Sequence, residues 1–330
     1  MMAEKNRWQI IGQGLAGTCL AWHLWWRGAP FVIMDRGQGG SSRVAAGLIN
    51  PITGKNFEPS WQLAPWYAEA MAFYQKIEET LGRKFWHPLP ILRLAADEKE
   101  WLKILSKSKL EQVQPWIAGS QPAAGDWHHA MLIRGGGWLA VADFLNASKT
   151  FFQNAECFQL ADHKQSNSRT IWCDGAAGLM TSRYGRHRCA KGEILTIRAV
   201  ADESHIRVGG GGWMIPIGAG EFRVGSTYEW DVLDENPSAE GIIKLQKTAE
   251  RLLGRATYEV VGHDAGIRPI LRRSMPLLGE MPDGSWMLNA LGSKGSLYAP
   301  GAAARLAACL CDGTLPDDEV NIARYLQLHD

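Results

Sequence analysis

The chain has 330 residues, more than one compact core usually holds, so two domains are expected. Its formal net charge is +1, which excludes a strong overall attraction to nucleic acid or to an anionic membrane. No run of about 18 apolar residues occurs. The polar start, Met1 to Arg7, lacks the order of a signal peptide, and six cysteines without a C-x-x-C pair suit a reducing cytoplasm.

Trp8 to Ile11 is an apolar run ending at Gly12 and reads as a buried parallel strand. Leu15 to Arg27 reads as a helix with Gly28 at its C-terminal cap, and Phe31 to Met34 is a second strand ending at Asp35. Together these make a βαβ unit. Residues 61–81 have helical period, through Trp61, Ala64, Tyr67, Met71 and Tyr74. Ile91 to Leu94 is a strand candidate, and Asp97 caps a charged helix to about Lys107. Residues 118–137 look loop-rich. Leu139 to Phe152 is helical, and Thr170 to Cys173 is a strand entering Asp174-Gly175. Gly192 to Arg198, Trp213 to Ile217 and Glu221 to Ser226 fit an antiparallel sheet with Gly-rich turns. A helix over 238–253, a strand from Trp286 to Leu291 and a helix from Ala299 to Cys311 complete the order. A mostly parallel layer interrupted twice implies a discontinuous two-domain chain. The fifteen tryptophans are many for this length, and several must line the core or a pocket.

The run Gly12-Gln13-Gly14-Leu15-Ala16-Gly17 follows a strand, opens a helix, and has Asp35 about 20 residues on. Glycines let the backbone turn tightly and approach a pyrophosphate, while the helix N-terminus offers oriented N–H groups. Asp35, followed by Arg36, suits ribose hydroxyls. This identifies a dinucleotide site without separating NAD from FAD.

Ser41-Ser42-Arg43-Val44-Ala45-Ala46-Gly47-Leu48-Ile49-Asn50-Pro51 resembles the flavin-facing segment of the D-amino-acid oxidase and glycine oxidase family. The resemblance runs from about residue 8 to 311 and implies FAD. Family hydroxyls serve the FAD phosphates, here Ser41 and Ser42. The stretch Val44-Ala45-Ala46-Gly47-Leu48 would pack on one face of the isoalloxazine ring. Lys191-Gly192-Glu193-Ile194-Leu195 resembles the strand that re-enters the family's substrate domain. Trp213-Met214-Ile215-Pro216 and Glu221 to Tyr228 resemble the hairpin beside its substrate pocket, with Trp213 over the substrate.

Gly266-Ile267-Arg268-Pro269 matches the family's carboxylate-holding arginine motif, which makes Arg268 the expected substrate anchor, although a protein salt bridge is the plainer role. Arg272 and Arg273 are expected to be solvated. Gly292-Ser293-Lys294-Gly295-Ser296-Leu297 matches the glycine-rich turn opening the final helix, with Lys294 facing flavin or substrate. This turn is shorter than in glycine oxidase and resembles more closely the one in the oxidase half of the bifunctional bacterial enzyme that matures the wobble-uridine side chain of tRNA. Asp174-Gly175-Ala176 are further candidates for cofactor contact, and resemble a motif of flavin hydroxylases.

The family resemblance implies an α/β fold, with a Rossmann-like FAD-binding domain of glutathione-reductase type and a discontinuous α+β substrate domain on an antiparallel sheet. The expected division is 1–60, 130–190 and 262–330 for FAD, and 61–129 and 191–261 for substrate. No cysteine lies where covalent attachment occurs in sarcosine-oxidase-type relatives, so noncovalent FAD is expected. The implied reaction is hydride transfer from the carbon beside nitrogen of an amino acid or N-substituted glycine, with O2 as acceptor. Alternatives are an amine carried on tRNA, a flavin hydroxylase, and a nucleotide-binding protein without turnover. His128-His129 have no further ligands at fitting spacing, so no metal is expected. Arg183, Arg186, His187, Arg188 and Lys191 form a basic run, expected to be a solvated turn.

Overall fold

The computed structural model describes residues 7–123, 125–161, 169–181, 184–254, 256–271 and 275–327. Among these, the strands form two large sheets and two small ones. The six-stranded sheet runs in the order Phe158–Leu160, Phe31–Asp35, Trp8–Ile11, Thr170–Trp172, Trp286–Asn289, Leu277–Glu280. The first five are parallel, and Leu277–Glu280 closes the edge antiparallel. The inner strands are mostly buried, as parallel strands covered by helices require, while the edge strand Phe158–Leu160 is largely exposed.

The helix Leu15–Trp26 lies against this sheet and against the helix Gly295–Asp312. It is apolar nearly all round because both sides are covered. Gly28, at φ +64°, ends it in the left-handed conformation that glycine adopts without a Cβ penalty. Trp22 is fully buried and packs on Phe151 and Phe152, with ring centroids 4.7 and 4.9 Å away. Its indole N–H donates to Ser148 Oγ at 3.0 Å, so the aromatic core leaves that polar atom satisfied. The helix Leu63–Leu81 also packs on Gly295–Asp312. Tyr74 OH donates to the Ser296 carbonyl at 2.7 Å, fixing the start of the last helix.

The eight-stranded sheet has the order Tyr258–Arg268, Ala190–Ala199, Glu221–Gly225, Gly212–Gly218, Ile206–Gly209, Ile91–Ala95, His129–Ile133, Ile117–Pro122. Every neighbouring pair is antiparallel except Ile206–Gly209 with Ile91–Ala95. The helix Ala239–Leu253 packs on it, capped by Ser238, whose hydroxyl accepts from the Gly241 N–H. Asp97 caps Glu98–Lys107 in the same way.

Two expectations need correction. The region 118–137 is not loop-rich: it contains the strands Ile117–Pro122 and His129–Ile133. Lys191 is not on a solvated turn: it sits within the strand Ala190–Ala199 at 3 % exposure, its ammonium 2.7 Å from Asp234 Oδ1. Arg183, Arg272 and Arg273 lie outside the described residues.

Candidate active site

Gly12 stands at φ +105°, and a Cβ there would lie 2.5 Å from the Cys173 carbonyl oxygen on the neighbouring strand segment. A Cβ on Gly17 would lie 1.9 Å from the Gly12 carbonyl oxygen. Both glycines are therefore demanded by backbone packing, as a strand–turn–helix phosphate loop requires. At Gly14 the nearest obstacle is Ser42 Oγ, 3.1 Å from a built Cβ. The Asp35 carboxylate accepts from the Gln13 N–H and the Gly37 N–H, each at 2.7 Å. Arg43 lies 3.6 Å from Asp35 and donates to Gln13 Oε1 at 3.3 Å. Ala16 is buried in the helix behind the loop.

The short helix Ser41–Val44 delivers Ser42 to the loop, where its hydroxyl accepts the Leu15 N–H at 3.1 Å. The chain then extends through Ala45 and Ala46 to Gly47, at φ +71°. A Cβ on Gly47 would meet the Leu139 carbonyl oxygen at 1.9 Å, so glycine is needed for this close approach. One residue holding this segment escaped the sequence reading. Arg223 donates to the Val44 carbonyl at 2.8 Å and the Ala45 carbonyl at 3.2 Å, and lies 3.4 Å from Asp264. Burial pushes its pKa down, with Asp264 opposing that shift.

Arg268 ends the strand Tyr258–Arg268. Its guanidinium donates to Ser226 Oγ at 2.8 Å, to the Thr227 carbonyl at 3.1 Å and to the Lys191 carbonyl at 3.2 Å. The Tyr228 ring covers it at 4.0 Å. Among the described residues, no carboxylate forms an ion pair with it. Burial lowers its pKa, with Tyr228 opposing. Gly266 brings this strand close to the Ser41–Val44 helix: a Cβ there would meet Val44 Cγ2 at 2.7 Å. Tyr228, half exposed, is a second residue that the sequence reading left unassigned, although it closes the EFRVGSTY block.

The turn Leu291 to Lys294 opens the last helix. Gly292 stands at φ +58°, and its N–H donates to the Pro269 carbonyl at 3.0 Å, which ties the turn to the Arg268 motif. Lys294 donates to Ser60 Oγ at 3.0 Å and to Thr53 Oγ1 at 3.2 Å, and burial lowers its pKa. Trp213 lies opposite Gly225 in the strand pair, and a Cβ on Gly225 would stand 2.3 Å from the indole.

These pieces surround one cavity of about 810 Å³. Its wall includes Leu15, Ser41, Ser42, Ala45, Ala46, Gly47, Leu48, Trp213, Gly266, Arg268, Gly292, Ser293, Lys294, Gly295, Ser296 and Leu297, alongside Tyr228. Gly12, Gly14, Ala16, Gly17, Asp35, Arg36 and Arg43 are not part of that wall, although Leu15 and Ser42 join their loop to it. Asp174, Gly175 and Ala176 are also outside it: the Asp174 carboxylate accepts from Asn289 Nδ2 at 3.0 Å at the start of the helix Gly175–Leu179. The Arg36 Nε donates to the Gln38 carbonyl at 3.3 Å at the surface. His129 packs against Trp101 in a tilted arrangement, with centroids 4.4 Å apart.

The chain belongs to the DAO family of FAD dependent oxidoreductases, whose model matches residues 7–309. Over 364 residues it is 25 % identical to the tRNA 5-methylaminomethyl-2-thiouridine biosynthesis bifunctional protein of Marinobacter nauticus, covering 92 % of this chain and 55 % of that protein. The chain thus spans about half the length of that relative. It is 25 % identical over 360 residues to the glycine oxidase of Pseudomonas aeruginosa, covering 94 % of this chain and 96 % of that enzyme. The crystal structure of glycine oxidase from Geobacillus kaustophilus shares the fold, with a TM-score of 0.78 at 21 % identity, covering 94 % of this chain and 96 % of that one. The protein is an FAD-dependent oxidoreductase. Its residues fit that cofactor: Gly12 and Gly17 leave no room for side chains in the phosphate loop, and Gly47 brings backbone to the wall of a cavity large enough for a ring system. Among the described residues, no helix is long and apolar enough to cross a membrane.

Proposed function

We propose that the protein oxidises the C–N bond of an amino acid or N-substituted glycine, using noncovalently held FAD and dioxygen. The observation that carries this reading is the Arg268 guanidinium: desolvated, fixed by a hydroxyl, two carbonyls and an aromatic ring, and without a carboxylate partner among the described residues. A buried cation left in that state suits an anionic ligand, and the planar fork suits a carboxylate.

Bound FAD supplies the two-electron acceptor for the substrate's C–H bond. The chain supplies position and field. Arg268 holds the carboxylate, so that the α-carbon is presented to the ring. Leu48 and Trp213 add apolar wall that keeps water from the reacting carbon. Lys294, held by two hydroxyls, places a positive charge at the cavity wall near the start of the last helix. Asp35 would take the ribose hydroxyls, and Gly12, Gly14 and Gly17 the pyrophosphate. In this reading residues 1–60, 130–190 and 262–330 carry FAD, and 61–129 and 191–261 carry substrate. The strands His129–Ile133 and Tyr258–Arg268 cross those boundaries within the eight-stranded sheet.

The test is anaerobic mixing of the yellow protein with glycine, N-methylglycine, methylamine and dimethylamine. The carboxylate-bearing amines should bleach the flavin, and admitted oxygen should restore the colour with release of hydrogen peroxide. Equal bleaching by amines that lack a carboxylate, or bleaching by none of the four, would overturn the reading.

A second reading places the same glycine-like amine on an RNA nucleotide. The observation favouring it is Trp230, 47 % exposed, with the Arg188 guanidinium 5.7 Å over its ring and Tyr228 6.1 Å away. Exposed aromatic rings beside arginine stack on unpaired bases.

A further inference from the structure

Residues 226–236 run from the strand Glu221–Gly225 to Ser238, the cap of the helix Ala239–Leu253. One end of this segment makes the Arg268 pocket, through Ser226 Oγ, the Thr227 carbonyl and the Tyr228 ring. Its middle is stitched to the strand beneath: the Lys191 N–H donates to the Glu229 carbonyl at 2.8 Å, and the Glu229 N–H returns to the Lys191 carbonyl at 3.0 Å. That same Lys191 carbonyl accepts from Arg268.

The far end has two acidic anchors. Asp234 accepts from the buried Lys191 ammonium at 2.7 Å, while Glu193 lies 3.9 Å from that ammonium. Glu235 Oε1 accepts the Gly40 N–H at 2.8 Å, on the loop that leads into the Ser41–Val44 helix. A Cβ on Gly39 would stand 2.4 Å from Glu235 Oε2, so glycine makes room for this contact. Between Ser226 and Asp234, Tyr228, Trp230 and Val232 are 50 %, 47 % and 53 % exposed and only Leu233 packs against the core, so apolar burial contributes little to holding the segment down. Its position therefore depends mainly on polar contacts: the backbone pair with Lys191 at its middle and the two carboxylates at its far end.

We propose that 226–236 is a strap tying the Arg268 pocket to the loop before Ser41, with Asp234 and Glu235 as its positioning residues. Neither touches the cavity wall. Lys191 is the shared post: its side chain holds Asp234 while its backbone holds both Glu229 and Arg268. The strap therefore links the cofactor side of the cavity to the substrate side. The substrate part of this inference rests on the amine-oxidase reading above.

The experiment uses FAD-loaded protein carrying Asp234→Asn, Glu235→Gln or both, with N-methylglycine as the amine. Hydrogen exchange over 226–230 should speed up in each variant, while FAD content stays at the wild-type level. The KM for N-methylglycine should rise roughly tenfold in the double variant, with kcat within about twofold. In an Arg268→Leu background the same two substitutions should leave KM within about twofold, because there is no guanidinium left to position. Asp234→Glu should restore much of the loss. Unchanged exchange over 226–230 would overturn the strap, and this arm stands even if no amine proves to be a substrate. An equal KM rise in both backgrounds would overturn positioning through Arg268.

Discussion

A Cβ on Gly192 would stand 2.0 Å from Arg268 Nη2, so the guanidinium occupies space that only a glycine leaves on the neighbouring strand. Gly192 pairs with Gly266 in the register, and two residues further along Arg268 pairs with Ala190. Gly192 thus admits the cation, while Gly266 makes room for the Ser41–Val44 helix.

Gly192→Ala should displace the guanidinium without unfolding the sheet, because the obstacle is the far end of a flexible side chain. The KM for N-methylglycine should rise roughly tenfold, about 1.4 kcal/mol, with Tm nearly unchanged. In an Arg268→Leu background the alanine should have little further effect. Steady-state kinetics and thermal melts of the four proteins check this. Additive losses would show that Gly192 acts on something other than Arg268.

Arg268→Leu should lower kcat/KM for carboxylate-bearing amines by roughly 30- to several-thousand-fold, the cost of about 2–5 kcal/mol for truncating one partner of a buried charge pair. Lysine should rescue only part, since it keeps the charge but lacks the fork. FAD content should hold, and matched amines without a carboxylate should be spared. Loss of flavin, or an equal loss on both kinds of amine, would make Arg268 a cofactor or structural residue.

Arg223→Met should loosen the Val44–Ala45 segment. It removes two hydrogen bonds from a charged donor, each contributing on the order of 1.5–3 kcal/mol. The expected outcome is weaker FAD retention, read as a higher Kd from flavin fluorescence during reconstitution. A lower Tm of the cofactor-free protein with an unchanged Kd would confine Arg223 to stability.

His23 links acid stability to the core. Its Nε2–H donates to the Pro300 carbonyl at 3.1 Å, and the ring stacks on Phe73 with centroids 5.2 Å apart. Burial lowers its pKa from 6.5 to about 4, with the Pro300 bond opposing and Arg27 and Lys76 reinforcing. Between these values the unfolded chain binds the proton and the folded chain does not. Stability is therefore full above pH 6.5, falls as pH drops from 6.5 to 4 and levels off below 4, a loss on the order of 3 kcal/mol. His23→Gln keeps an N–H donor but does not titrate, so it should remove this share of the pH dependence of Tm. An unchanged slope between pH 6.5 and 4 would rule His23 out.

The βαβ unit was readable because each local rule agreed: an apolar strand, glycines at Gly12, Gly14 and Gly17, an apolar helix, and Asp35. The strand Tyr258–Arg268 was not, because Gly262, His263 and Asp264 interrupt its alternation and it pairs on one side only. Ile117–Pro122 failed for a related reason: it is an edge strand of small and polar residues, largely exposed. Arg268 and Lys294 were singled out by resemblance, and both line the cavity. Arg223, Tyr228 and the anchors Asp234 and Glu235 were not, because each works through contacts with segments far away in the chain, which no spacing along the sequence records.

The Arg223 hydrogen bonds join residues 178 and 179 positions apart. During synthesis, then, the Ser41–Leu48 segment leaves the ribosome long before the side chain that clamps it, and before Gly266, which packs against its first helix. One of the two partner strands of Trp8–Ile11, Thr170–Trp172, is also delayed. The phosphate loop is among the first parts translated and among the last to be completed. If Arg223 does hold the cofactor segment, cofactor loading is a test of the finished chain, and a truncated product that ends before residue 223 should fail to retain FAD.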